Sequence, residues 1–178
     1  MRGVTLHILF VCTGNICRSP IAERLARAYI RRSPGIDNVT ASSAGTRAMV
    51  AQPIHPHAAL VLERLGGDSR NFQARQFSSA FLQNVDLILT MTRAHRDHVL
   101  EQAPHRVRST FTLAEAAQML CDFTAEHIND LVALRPNIDA RAIQDIPDPI
   151  GQDLEFFRTV GDRIKTLLPP ILEFCGRI

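Results

Sequence analysis

Cys12-Thr-Gly-Asn-Ile-Cys-Arg18-Ser19 places a thiol and a guanidinium at the two ends of one short loop, with five residues between them. An apolar run, Leu6 to Val11, leads into it, and Pro20-Ile-Ala-Glu-Arg-Leu-Ala-Arg27 follows at once. Strand, turn and helix in that order set Cys12 against backbone N–H groups at a helix N-terminus, where anions bind and a thiolate is favoured. Only the thiolate is a competent nucleophile. Consecutive N–H groups from Thr13 through Gly14, Asn15, Ile16 and Cys17 to Arg18 can form an anion nest. The planar fork of Arg18 can grip two phosphate oxygens and offset charge in a transferring phosphoryl group. Gly14 permits close backbone approach, Asn15 is expected to brace the loop from inside, and Ser19 to donate to the Cys12 sulfur while capping the helix. Taken singly, each residue has an ordinary use, since a buried strand-end cysteine commonly just packs. Their joint spacing, C-x5-R-S, points to attack on phosphate esters.

Cleavage of such an ester needs a proton for the leaving oxygen, and Asp148 is the candidate donor. Pro149 drives Asp148 into an extended conformation and stiffens the loop that presents it. The same carboxylate would then serve as base for the water that hydrolyses a phospho-Cys12 intermediate. An Asp-Pro pair alone also starts turns. Asp145 and Asp153 are the alternative acids.

Alternating elements must position these groups. Strands are expected at Leu6–Val11, Val39–Ala44, Val85–Met91 and Val107–Thr112, and helices at Ile21–Arg32, His57–Leu65 and Arg93–Gln102. Ser19 is suited to the N-cap and Pro20 to the first helical position. Strands separated by such helices imply a parallel sheet covered on both faces. Further on, Leu113–Leu120, Ala125–Leu134 and Ile138–Ile143 have helical patterns. A last amphipathic helix spans about Leu154 to Leu168, where Pro169-Pro170 is expected to interrupt it before a kinked continuation to Cys175.

Composition narrows the classes. The chain has 178 residues, 46% hydrophobic and 21% charged, as expected for a single globular domain. A net charge of +2, with Lys165 the single lysine, is too mild to suggest a nucleic-acid partner. No apolar run reaches membrane-spanning length, and no signal-peptide pattern opens the chain. The four cysteines, Cys12, Cys17, Cys121 and Cys175, lack zinc-type spacing, which favours reduced thiols in a cytoplasmic setting. His57, His95 and His98 lie on expected helices, where histidine usually caps, packs or faces solvent.

The loop and its Pro20-Ile-Ala-Glu23 continuation resemble the low-molecular-weight protein tyrosine phosphatase family. The likeness continues through Ser43-Ala-Gly-Thr46, Ala74-Arg-Gln76, Leu89-Thr-Met91 and Asp148-Pro149. It implies a three-layer, flavodoxin-like α/β fold with a four-stranded parallel sheet, a phosphocysteine intermediate, and neither metal nor organic cofactor. It implies a phosphotyrosine-containing protein as substrate, a bacterial tyrosine kinase being a suitable partner. Ser43 and Arg75 match positions that support the loop. Relatives with a second loop cysteine suggest a reversible Cys12–Cys17 disulfide, while a small loop-filling thiol is the alternative.

The chain also departs from the family pattern. Phe72 stands where many relatives have histidine, so a polar brace is expected to be missing. Ile150 and Met49 stand where aromatic walls are common, and with Tyr29 the only tyrosine and no tryptophan, aliphatic contact should replace aromatic stacking. The segment 113–143 reads as a helical insertion, either a substrate-selecting lid or a decoration on a tolerant loop. Two other functions share the scaffold: a protein-arginine phosphatase, against which Ile16 in place of threonine argues, and a thiol-dependent arsenate reductase. A non-catalytic phosphoprotein-binding module would need neither Cys12 nor Asp148.

Overall fold

The computed structural model describes residues 5–178. Four parallel strands form one sheet: β1 (Leu6–Cys12), β2 (Val39–Gly45), β3 (Leu87–Thr90) and β4 (Thr110–Thr112), in the order β2-β1-β3-β4. Six α-helices accompany them: α1 (Arg18–Arg32), α2 (Pro56–Arg64), α3 (Arg93–Gln102), α4 (Leu113–Asp122), α5 (Ile128–Leu134) and α6 (Leu154–Arg177).

β1 is apolar throughout because both of its faces are covered. Ile8, Phe10 and Cys12 point into a core shared with α1, α2, α4 and α6. Leu9 and Val11 point the other way, onto Phe77, Leu82, and Val99 of α3. This alternation produces the three layers expected from the sequence. The chain leaves β1 for β2 on one side, then crosses to β3 on the other. That reversal opens a crevice beyond the carboxyl ends of β1 and β3, the usual ligand position in open α/β sheets.

Several local expectations change. Ser19 does not cap α1: the helix already starts at Arg18, Cys17 is the N-cap without a side-chain bond, and the Ser19 hydroxyl is engaged elsewhere. β3 and β4 are shorter than the expected strands: Val85 closes the 3-10 turn Ser79–Asn84, and a second 3-10 turn, Pro104–Ser109, takes the first residues of the other. Residues 138–143 form turns instead of a helix, with Asp139 Oδ1 accepting from Arg141 N and Asp139 O from Ala142 N. Pro169 and Pro170 do not interrupt the last helix, which runs 24 residues through them. The two missing N–H donors are outweighed by burial of Leu168, Ile171, Leu172, Phe174 and Cys175 against the sheet.

Candidate active site

The loop after β1 is turned inside out by its neighbours. The carbonyls of Cys12, Thr13, Gly14 and Ile16 accept hydrogen bonds from Thr46 N, Arg47 N, Met49 N and His55 N at 2.8–3.0 Å. Because each peptide is planar and trans, pinning those oxygens outward aims the N–H groups of Thr13, Gly14, Asn15 and Cys17 toward the loop's centre. The connection from β2 to α2 is thus the outer rim of the anion nest. A Cβ on Gly45 would lie 2.4 Å from Thr13 O, so this backbone approach requires glycine there. At Gly14 a Cβ would meet only ordinary contacts, 3.5 Å from Ile16 and 3.6 Å from Met49.

Behind the loop runs a chain of side-chain hydrogen bonds whose direction can be worked out. Glu23 is buried, and its Oε2 accepts from Ser43 Oγ at 2.5 Å. Ser43 Oγ, its proton so engaged, accepts from Asn15 Nδ2 at 2.9 Å. The other Asn15 amide proton goes to Ser19 Oγ at 2.8 Å, and Asn15 Oδ1 accepts from Arg75 N at 2.8 Å. Ser19 Oγ therefore has its own proton free for Cys12 Sγ, 3.0 Å away, with Ala44 O more distant at 3.5 Å. The Ser19 hydroxyl is thus placed to donate to the sulfur of Cys12. Asn15 meets these demands in the left-handed region, at φ 55°, which asparagine tolerates better than most residues. Phe72 supplies no polar brace, as expected; its ring packs under the Arg24 guanidinium at 5.4 Å. The brace comes from Glu23, itself paired with Arg27 at 2.9 Å. Glu23 was legible only as part of the helical motif, since nothing in its spacing marks it as Ser43's acceptor.

Arg18 is 3% exposed, an unusual burial for a guanidinium. Its Nη1 donates to Ile146 O at 3.0 Å and its Nη2 to Asp148 Oδ2 at 2.8 Å. The buried Nε has no hydrogen-bond partner among the described residues. Asp148 is half exposed, and its segment is hung on arginines. Arg163 donates to the carbonyls of Gln144 and Asp145, and Arg93 to those of Ala140 and Ile143. Asp145 accepts from Arg93 N, and Asp153 caps α6 by accepting from Phe156 N. Of the three carboxylates considered, Asp148 alone lines the cleft.

That cleft, about 420 Å³, is lined by Cys12, Thr13, Gly14, Ile16, Cys17 and Arg18, with Arg47, Met49, His55, Asp148 and Ile150 around them. Met49 and Ile150 are exposed, forming the aliphatic walls foreseen from the sequence. Lining residues from 113–143 are lacking among those described. Cys12 and Cys17 are both buried free thiols. Burial, then the neighbouring Cys12, push the Cys17 thiol up to about 12. This makes it a poor competitor for the nucleophile's place.

Two histidines lie near the cleft, His55 without any signal in the sequence and His95 read there only as an ordinary helical histidine. His55 starts α2, accepts from His57 N, and stacks on Phe157 with ring centroids 4.9 Å apart. It gives the otherwise aliphatic cleft one aromatic wall. His95, buried in α3, reaches Thr13 Oγ1 with Nε2 at 2.8 Å. Burial, then the nearby Arg18 charge, pull its imidazole down to about 4. The contacts that matter here, His95 with Thr13 across 82 residues and His55 with Phe157, lie beyond the reach of any local motif.

A parallel α/β sheet whose first loop carries C-x5-R into α1 defines the class of small, cysteine-loop phosphatases. The family model described as low molecular weight phosphotyrosine protein phosphatase matches residues 7–175. A protein-arginine-phosphatase of Geobacillus stearothermophilus is 30% identical over 167 residues, 94% of each chain. A probable low molecular weight protein-tyrosine-phosphatase, EpsP, of Ralstonia solanacearum is 36% identical over 115 residues, covering 65% of this chain and 75% of that one. The solved structure of the tyrosine phosphatase Wzb from Escherichia coli in complex with sulphate matches with a TM-score of 0.71 at 27% identity, covering 94% and 96% of the two chains. The chain belongs to the low molecular weight phosphotyrosine protein phosphatase family, and it is a hydrolase of that family.

Proposed function

We propose that the protein hydrolyses phosphotyrosine in proteins through a phosphocysteine intermediate on Cys12. The observation that carries this reading is convergence: the Ser19-supported thiol, the Arg18 fork and the Asp148 carboxylate all border one cleft. A phosphate dianion enters the nest, bonded by loop N–H groups and by the Arg18 Nε that lacks a partner among the described residues. Arg18 then exchanges Asp148 for the phosphate oxygens, freeing the carboxyl group to carry a proton. The Cys12 thiolate attacks phosphorus as the P–O bond to the phenol breaks, and Asp148 gives its proton to the leaving oxygen. In the second step Asp148 takes a proton from water, which displaces Cys12 and releases phosphate. No helix among the described residues is long and apolar enough to cross a membrane. We place the enzyme in the cytoplasm, with a tyrosine kinase or another phosphotyrosine protein as its partner.

A protein-arginine phosphatase is the second reading, favoured by the 30%-identical relative that matches along 94% of its length. The lining favours tyrosine. Ile16, Met49, Ile150 and His55 suit a flat aromatic ring, whereas a substrate guanidinium would face those of Arg18 and Arg47 with one carboxylate, Asp148, among the described lining residues.

The deciding experiment follows hydrolysis of p-nitrophenyl phosphate, a phosphotyrosine peptide and a phosphoarginine peptide by wild type, Cys12→Ser and Asp148→Asn. Tyrosine phosphatase activity predicts peptide turnover with a clear preference for phosphotyrosine, lost in Cys12→Ser. Preference for phosphoarginine would install the second reading. Failure to hydrolyse any of the three would overturn both and direct attention to arsenate reduction with a thiol donor.

A further inference from the structure

We infer that His95 is a positioning residue for the phosphate-binding loop, acting through the side chain of Thr13; the inference rests on the phosphatase reading above. His95 stands on the first turn of α3, directly after β3, and Thr13 directly follows the nucleophile at the end of β1. The two therefore face each other across the crevice where the strand order reverses. Both ring nitrogens are engaged: Nδ1 with Thr92 Oγ1 at 2.9 Å, and Nε2 with Thr13 Oγ1 at 2.8 Å. Thr92 Oγ1 also accepts from His95 N, so the cap of α3 and the ring orientation are set together.

Thr13 is thus held from two sides. Its carbonyl is fixed by Arg47 N from the β2 side, and its hydroxyl by His95 from the β3 side. Its own N–H and that of Gly14 are the first two of the anion nest, and their directions follow from how this residue is held. A histidine serving only to cap α3 would need the Thr92 contacts alone. The Nε2 contact reaches 82 residues back along the chain to the nucleophile's neighbour. An uncharged ring here also suits a site whose cation must stay available for phosphate: at 7% exposure beside Arg18, an imidazolium would oppose that arginine.

The test compares His95→Ala, His95→Gln, Thr13→Val and the His95→Ala/Thr13→Val double variant with wild type. Three quantities are read: kcat and KM on p-nitrophenyl phosphate, the calorimetric Kd for tungstate as an inert phosphate mimic, and Tm. Loss of this part-buried hydrogen bond should cut kcat about tenfold in His95→Ala, with KM little changed, and weaken tungstate by a similar factor. Thr13→Val should do the same. The double variant should be no worse than the poorer single within about twofold, because both remove one interaction. Glutamine can return a donor near the Nε2 position, so His95→Gln should stay within about threefold of wild type. A folded His95→Ala whose kcat and tungstate Kd lie within about twofold of wild type overturns the inference. So do losses that multiply in the double variant. If His95→Ala does not fold, Thr13→Val decides, and normal tungstate binding by that variant overturns it equally. Should wild type bind tungstate yet hydrolyse no ester, the phosphatase reading fails, while the tungstate comparison still judges His95.

Discussion

The two loops that meet over Cys12 are held by opposite means. Around residues 12–16, backbone grips backbone: the β2–α2 connection takes the loop's carbonyls, and Asn15, Arg18 and Ser19 are all buried. The 144–148 segment has no regular structure, and many of its carbonyls are held by long arginine side chains from α1 and α6. The contrast fits the tasks proposed for them. A nest must present N–H groups at fixed angles before the anion arrives, and short backbone bonds do that without reorganisation. A proton donor must change partners within one catalytic cycle, and a half-exposed carboxylate on a guanidinium can do so.

Breaking the rigid side should cost most. Cys12→Ser removes the nucleophile and should lower turnover of p-nitrophenyl phosphate by about 10⁴-fold or more, measured in steady state. Asp148→Asn attacks the other loop. It should cost about 10²- to 10³-fold on phosphotyrosine and clearly less on p-nitrophenyl phosphate, whose leaving group needs little protonation. Equal losses on the two substrates would count against Asp148 as the acid.

The supports should separate next. Asn15→Ala strands Ser19, Ser43 and Arg75 N and puts alanine at φ 55°, so denaturant melts should show about 2–4 kcal/mol of lost stability. Arg163→Met should leave stability within about 1 kcal/mol, yet slow phosphotyrosine hydrolysis severalfold by loosening the acid segment.

The smallest effect concerns pH. His95 is pulled down to about 4 from an ordinary 6.5, by burial first and Arg18 second, with Asp148 and Asp145 opposing and His98 adding a little. The unfolded chain therefore binds a proton between those values that the folded one refuses. The His95 contribution is complete above about pH 6.5 and is lost as pH falls toward 4. His7 and His55, also lowered chiefly by burial, act in the same direction. His95→Gln should flatten the decline of Tm across that window, and an unchanged slope would show that the ring's protonation does not matter there.

The sequence was most readable where one short segment had to satisfy several conditions at once. Cys12 to Ser19, bounded by a fully apolar strand and an amphipathic helix, left few alternatives for fold or chemistry. It was least readable where one residue type has many uses. Ser19 looked like a cap because serine usually is one there, but Asn15 and Cys12 compete for its hydroxyl. Pro169 and Pro170 looked like breakers because local propensity says so, but the buried apolar face of α6 outweighs them. His95 looked like an ordinary helical histidine, His55 carried no signal at all, and Glu23 stood out only as the end of the Pro20-Ile-Ala-Glu23 continuation.

By itself, then, the sequence determined the strand–loop–helix unit, the alternation that builds the parallel sheet, and the identity of the groups around Cys12. Those follow from hydrophobic period, glycine and proline placement, and the chemistry of neighbours within a few residues. Only the tertiary structure decided which way the loop's N–H groups face, that Glu23 orients Ser43, that Arg18 reaches Asp148 across 130 residues, and that His95 meets Thr13. The reason is that hydrogen-bond direction and charge pairing depend on distance in space, and chain spacing stops reporting distance once the strands have crossed over.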